Sequence, residues 1–420
     1  MKKKYRNWLT AFSCGMMLLM PGIVLGADSE PETLTYGDFS YTVNEDKTVT
    51  ITDWDSYASS VSIPESIDGM PVTTIGSNTF MMKDFEYLTI PASVTTLEES
   101  AFFSCDKLKE VKIPDTVVNT TGNPFGACDS LTEFTVSPEH PVFAVIDGVL
   151  FEKSEKVLVA YPAGRKEDSY EVPNGISTIG YRAFSGVESL KKISLPDTIT
   201  TINAYAFASC KSLKDIELPE NLTTLGSCAF YLCSSLKSIE LPASLETIED
   251  RNPFVECSSL SGLTVAEGNS VFTLEDNVLF DVANHTLVAY LQTRKGTSYE
   301  VPDGITAIGG SAFESCSDLT KITLPQTVES IGRNAFSSCR SLKNLELPKN
   351  VTSIGERAFA LCDSLESLYL SEKITEIGRY AFSYSKNLTL HVERDSYAAN
   401  YAKENDLTYA YPDQNDWLKG

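Results

Sequence analysis

The chain has 420 residues, and its 57 Asp and Glu against 34 Lys and Arg give a formal charge of −23. That balance repels nucleic acid and anionic lipid and so excludes both as partners. At 42% hydrophobic residues the composition is that of a chain able to bury a continuous core, not of a disordered one.

Residues 1–27 read as a secretory leader. Lys2, Lys3, Lys4 and Arg6 form a basic head, the run from Trp8 to Leu25 is mostly apolar, and Gly26 and Ala27 are small residues at the cleavage point. The alternative is a membrane anchor, but Thr10, Ser13, Gly15 and Pro21 interrupt the run and disfavour a stable span. Losing the leader removes four positive residues and no acidic one, which takes −23 to about −27. No second apolar span follows, and residues 415–420 show no sorting pattern or hydrophobic tail. The expectation is a secreted protein, released or held at the cell surface by non-covalent contacts.

Residues 28–61 are expected to form an N-terminal β cap. The runs YTV and TVTIT are strand-like and lead into Ile63-Pro64. Asp53 and Asp55 flank Trp54 there, and a solvated turn is the better reading than a glycosidase acid pair.

From 62 to 392 the chain repeats itself. Residues 324–346 read LPQTVESIGRNAFSSCRSLKNLE, and the next unit reads LPKNVTSIGERAFALCDSLESLY. The prolines recur with a 23-residue step at Pro91 and Pro114, at Pro173, Pro196, Pro219 and Pro242, and at Pro302, Pro325 and Pro348. Ala-Phe pairs recur in the same phase from Ala101-Phe102 to Ala381-Phe382, with degenerate copies at Phe80, Phe125 and Phe254. Such a period of about 23 residues, in about eleven units, reads as a solenoid. Leu345 and Leu347 lie two apart and share one side of a short strand. Pro348 ends that strand, Val351 and Ile354 line a second edge, and Gly355 is read as a turn residue. Ala358, Phe359 and Cys362 suit a tight, inward-facing helical turn. A single coil cannot bury its own apolar face, whereas stacked coils can.

A longer period overlies this one: residues 123–241 match 252–370 at an offset of 129. Each copy opens with an oversized unit, VFAVIDGVLFEKSEKVLVAY from Val142 and VFTLEDNVLFDVANHTLVAY from Val271. Alternation around Asp147-Gly148 and Asp276-Asn277 predicts two β-ribbon insertions, near 137–172 and 266–301. Residues 393–420 complete the chain as a short capping helix, with Tyr397 and Tyr401 on one face, and a tail.

The motif I-P-x-x-V-x-x-I-G-x-x-A-F-x-x-C-x-x-L resembles that of the BspA-type leucine-rich-repeat family of bacterial surface and secreted proteins, over residues 63–392. The resemblance implies a leucine-rich-repeat solenoid, β-rich, with short parallel strands and short helical turns, two β-hairpin insertions and capped ends. It also implies a binding role, as an adhesin or a surface protein, and no enzymatic one. A recognisable wall or membrane anchor is missing, and that departs from the anchored members.

Catalytic signatures are absent from the chain. His140, His285 and His391 are isolated, and no nucleophile, phosphate-loop or metal-ligand motif is present. Cys14 lies in the leader. Of the other nine cysteines, all but Cys228 fall three residues after a repeat phenylalanine and read as small core residues, not as disulfides or metal ligands. No cofactor or metal is expected. Function is assigned to the strand positions between the core residues, with Tyr87, Glu110, Lys112, Lys192, Asp215, Glu217, Glu240, Lys321, Glu346 and Tyr369 as concave-face candidates. The ribbons, as protruding loops, are a second place for binding. The expected function is that of a non-catalytic extracellular binding protein, a monomer that takes a protein or glycan of host or neighbouring cells. A structural surface coat is the alternative, and an enzyme with an unrecognised site is the remote one.

Overall fold

The computed structural model describes residues 32–412. The expected leader, with Cys14, and residues 413–420, with Trp417, lie outside the described residues.

The repeats stack as the coils of a solenoid with three sides. On the first side the L-x-x-L segments pair in parallel, one strand per coil, as in Lys192–Ser194, Asp215–Ile216, Ser238–Leu241 and Gly262–Val265. Lys192 stands opposite Asp215, and Ser238 opposite Gly262. On the second side the V-x-x-I segments form a ladder of two-residue strands, for example Thr178–Ile179, Thr201–Ile202, Thr224–Leu225 and Thr247–Ile248. Leu345, Leu347, Val351 and Ile354 all point inward and are buried.

The third side carries the Ala-Phe segment. The expected tight helical turn is realised there as linked four-residue turns. In one coil the N–H groups of Ala335, Ser337 and Cys339 donate back three residues, to the carbonyls of Gly332, Asn334 and Phe336. The alternate N–H groups, of Asn334, Phe336 and Ser338, donate forward to Glu356, Ala358 and Ala360 of the next coil, each at 2.8 Å. That alternation requires Asn334 (φ +56°) and Ser338 (φ +60°) to be left-handed, at a cost of roughly 1 kcal/mol each. The forward bonds offset it by leaving no backbone N–H from Asn334 to Cys339 without a partner.

Inside, the phenylalanines stack from coil to coil within each run of repeats. Phe313, Phe336 and Phe359 follow one another at 5.2 Å with rings 7° apart. Each repeat cysteine fits beside this stack and donates its thiol to the carbonyl of the ring residue one coil back, a phenylalanine in every case but Cys316, which meets Tyr290 O. Cys339 Sγ lies 3.0 Å from Phe313 O, and Ser385 Oγ does the same to Phe359 O at 2.7 Å. The nine described cysteines are free and buried. Burial pushes the Cys362 thiol up to about 12, so it stays protonated and unreactive.

The ribbons are antiparallel: Phe143–Ile146, Val149–Glu152 and Val157–Ala160 in one, Phe272–Glu275, Val278–Asp281 and Thr286–Tyr290 in the other. Their strands do not protrude. The last strand of each joins the second ladder, and the middle strand is buried on both faces. Leu150 packs with the core before it, while Val149 and Phe151 pack with the core after it. Tyr161 and Tyr290 take the place of a phenylalanine in the ring stack, 5.2 Å from Phe184 and 5.3 Å from Phe313.

His140 is a structural residue at the mouth of the first ribbon. Its Nδ1 accepts from the N–H groups of Val142 and Phe143, and its Nε2 lies 3.1 Å from Pro114 O, to which it donates. Asn269, 129 residues on, makes the same set: Oδ1 accepts from Val271 and Phe272, and Nδ2 donates to Pro242 O. Burial holds His140 below the usual imidazole range. Between the second copy and the coil before it sits a buried ion pair, Arg251 Nη2 to Glu314 Oε2 at 2.9 Å, with Arg251 Nε on Ser311 Oγ at 2.7 Å.

At the N-terminal end Trp54 is buried against Phe80 and Phe85. At the other end the helix Tyr397–Glu404, capped by Ser396, sets Tyr401 edge-on to Phe382. Among the described residues no helix is long and apolar enough to cross a membrane.

The reason for Gly355 differs from the expected one. Its φ is not positive, but a Cβ there would stand 2.4 Å from Arg333 N and 2.6 Å from Gly332 C of the previous coil. Gly355→Ala therefore forces two coils apart and should lower the stability measured by urea unfolding by about 1–3 kcal/mol. His140→Asn copies the second ribbon's arrangement. It should hold stability at pH 8 within about 1 kcal/mol. Because the unfolded imidazole takes up a proton more readily than the buried one, the wild type should lose stability as pH falls through about 6.5. The variant should lose that slope in urea titrations across pH 5–8.

Candidate binding surface

The first ladder turns alternate residues outward, and all ten candidate positions lie along it. Neighbouring coils stand about 4.8 Å apart, so the candidates form columns and not one cluster. Two ribbon turns divide the columns into panels. The N–H of Phe134 donates to Gly148 O at 3.0 Å, which places the first turn beside strand Glu133–Thr135. The second turn is tied down where Leu291 N meets Asn277 O at 3.1 Å.

The first panel holds Tyr87, Glu110 and Lys112, all exposed. Tyr87 is 54% exposed, and Lys109 lies over its ring at 5.7 Å while pairing with Glu86 at 2.7 Å. Glu110 stands beside Glu133, and Lys112 beside Thr135. In the middle panel Lys192 and Asp215 are adjacent and opposite in charge, with exposed Glu217 and Glu240 in the next column. The third panel exposes Lys321, opposite Asn344, and Glu346. Tyr369 is only partly exposed, and its hydroxyl donates to Glu393 Oε1 at 2.7 Å. Tyr87 is thus the one free aromatic anchor among the candidates.

Further members of the face escape the repeat pattern. Ser169 and Glu171 precede Lys192 and Ser194 in register, and Ser298 and Glu300 precede Lys321 and Thr323. Their strands follow the ribbons and carry Tyr170 or Tyr299 where other coils carry Ile, Leu, Val or Phe, so the L-x-x-L spacing passes over them. The repeated S-Y-E-V-P at both places was the available signal.

Along one border, ion pairs run from coil to coil: Lys107 to Asp84 at 3.0 Å, Lys191 to Asp168 at 3.4 Å and Lys211 to Glu188 at 2.6 Å. Exposed as they are, each contributes about 0.2–1 kcal/mol. Asp106 lies in this border, and partial burial, then Asp129 and Asp84, raise its carboxyl to about 7. Asp53 pairs with Lys83 at 3.2 Å, so it forms no acid pair with Asp55. Among the described residues no group of three metal-ligating side chains converges. The arrangement can dock polar groups by hydrogen bonds and charge.

A carboxyl raised in the folded state binds a proton better there than in the unfolded chain. Asp106 should therefore subtract stability as pH rises from about 4 to 7. Asp106→Asn should flatten that slope and, allowing for solvent screening, add about 1–2 kcal/mol at pH 8, as read from urea midpoints against pH.

A family model described as the BspA type leucine rich repeat region, in six copies, matches residues 57–157, 164–284 and 288–398. No curated protein matches the chain. Among solved structures it is similar to a leucine rich cell surface protein from Faecalibacterium prausnitzii, at 25% identity over 94% of this chain and 98% of that one, with a TM-score of 0.45. A leucine-rich repeat protein from Bacteroides ovatus is 24% identical over 90% and 99%, with a TM-score of 0.34. The pneumococcal vaccine antigen PcpA is 17% identical over 91% and 99%, with a TM-score of 0.40. The repeat pattern, the stacked coils and a family match spanning most of the chain lead to one assignment: this protein belongs to the BspA-type leucine-rich-repeat family.

Proposed function

We propose that this chain is a non-catalytic extracellular binding protein, adhesin-like, which docks a protein or glycan of host or neighbouring cells on the outward columns of its first ladder. The observation that carries the reading is the register. Exposed polar side chains of both signs recur at one-coil intervals on rigid strands, with Tyr87 free at one end. A surface of that kind recognises an extended partner by many modest contacts, and charge placement sets its specificity. The expected leader supports a place outside the producing cell, retained there by non-covalent contacts or released.

The test is saturable binding of the full chain to arrayed extracellular proteins and glycans, together with fractionation of producing cells into wall, membrane and medium. Lys112→Glu and Lys192→Glu should each weaken the strongest interaction about tenfold without moving the thermal transition. Absence of any saturable partner on both arrays, or binding that ignores both substitutions, would sink the proposal.

A further inference from the structure

A small cleft opens where the second ribbon hands the chain back to the solenoid, between residues 290–296 and the turn at 315–319. Tyr290, Gln292, Arg294, Ser315, Ser317 and Asp318 line it, around a volume of about 170 Å³. Drug-sized ligand pockets begin at about 300 Å³, so this one suits a single ring and not a polymer chain.

Its polar groups are held in place. Arg294 Nη2 lies 2.5 Å from Asp276 Oδ2, its Nε lies 3.1 Å from Asp276 O, and its guanidinium rests over the Tyr299 ring at 4.9 Å. Asp276 already neutralises that charge, which removes the attraction for an anion. Gln292 Nε2 donates to Ser315 O at 3.1 Å, and this fixes the amide with Oε1 left as an acceptor. Asp318 is exposed and forms no ion pair among the described residues. The cleft thus sets two acceptors, Gln292 Oε1 and the Asp318 carboxylate, beside the hydroxyl of Ser317 and the remaining N–H groups of Arg294, against the packed wall of Tyr290.

The first ribbon shows that the fold does not need this lining. At the offset of 129, Tyr161 and Arg165 stand for Tyr290 and Arg294, but Ala163 stands for Gln292, Gly186 for Ser315 and Ser189 for Asp318. Glu167 stands for Gly296 and pairs with Arg165 at 2.7 Å. Both junctions are built alike, and only the second carries the Gln and Asp at these positions.

We infer that this cleft binds one neutral sugar ring, with Gln292 and Asp318 accepting from a vicinal diol and Arg294 and Ser317 donating to the ring's other oxygens. A diol matches paired acceptors next to donors. An ammonium would leave the donors unpaired, and a carboxylate would meet Asp318. The site is separate from the ladder columns, so it stands or falls independently of the partner proposed for them.

The experiment titrates the full chain with the methyl pyranosides of glucose, galactose, mannose and N-acetylglucosamine, read by saturation-transfer NMR. Ethanolamine and acetate serve as the amine and anion probes. At least one pyranoside should saturate, and Gln292→Ala and Asp318→Ser should each weaken it at least about tenfold. Both substitutions copy residues the first ribbon already carries, and an unchanged thermal transition confirms that they fold. Lys112→Glu, on the ladder face, should leave sugar binding unchanged. The inference is overturned if no pyranoside saturates below about 100 mM, if ethanolamine or acetate binds more tightly than every sugar, or if sugar binding survives both substitutions.

Discussion

Everything in this molecule depends on keeping one coil in register on the next along the Ala-Phe side. Ring stacking at 5.2 Å and forward hydrogen bonds at 2.8 Å act on the same residues. Strand ladders prefer a spacing of about 4.8 Å, and stacked aromatic rings tolerate a centroid distance of about 4.5–7 Å. One pitch therefore satisfies both, and the two strand sides follow the turn side. Ala before Phe, Gly at 355 and Cys beside the stack are all consequences of how little room that pitch leaves.

The ribbons solve a different problem. A solenoid could run on with uniform coils, yet twice the chain sets an antiparallel unit across the core and returns to parallel pairing by way of a tyrosine in the phenylalanine column. Because the middle strand of each ribbon is buried on both faces, the ribbons join neighbouring cores instead of decorating them. The first turn reaches the first ladder, and that ladder is broken into separate sheets at both ribbons, which gives the surface panels a charge pattern of their own. The second junction has a polar cleft, with Gly296 where the first carries Glu167.

The buried ion pair and the polar anchors of the ribbon mouths sit at these junctions. His140 and Asn269 tie the ribbon mouths to the preceding coil. Arg251 and Glu314 pair across residues 63 apart in sequence. Breaking a buried pair of that kind by removing one partner costs about 3–5 kcal/mol, because the remaining charge has no water to turn to. The junctions are thus specified by polar complementarity, and the uniform coils by apolar repetition.

The sequence by itself determined the solenoid, the inward residues and the outward columns, since each repeat meets a near copy of itself and the 23-residue period already states which residues become neighbours. Tyr87, Lys192 and Lys321 could be placed on one face for that reason alone. It also showed the two ribbons as alternating strands. Tertiary structure alone decided that those strands are buried, that Tyr369 is tied to Glu393, that Gly355 is needed for close approach and not for a turn, and that the linked turns bond forward. It alone paired Arg251 with Glu314 and bonded Gln292 to Ser315. Those contacts join segments about 25–60 residues apart that do not repeat one another, and a periodic pattern carries information only about positions that do.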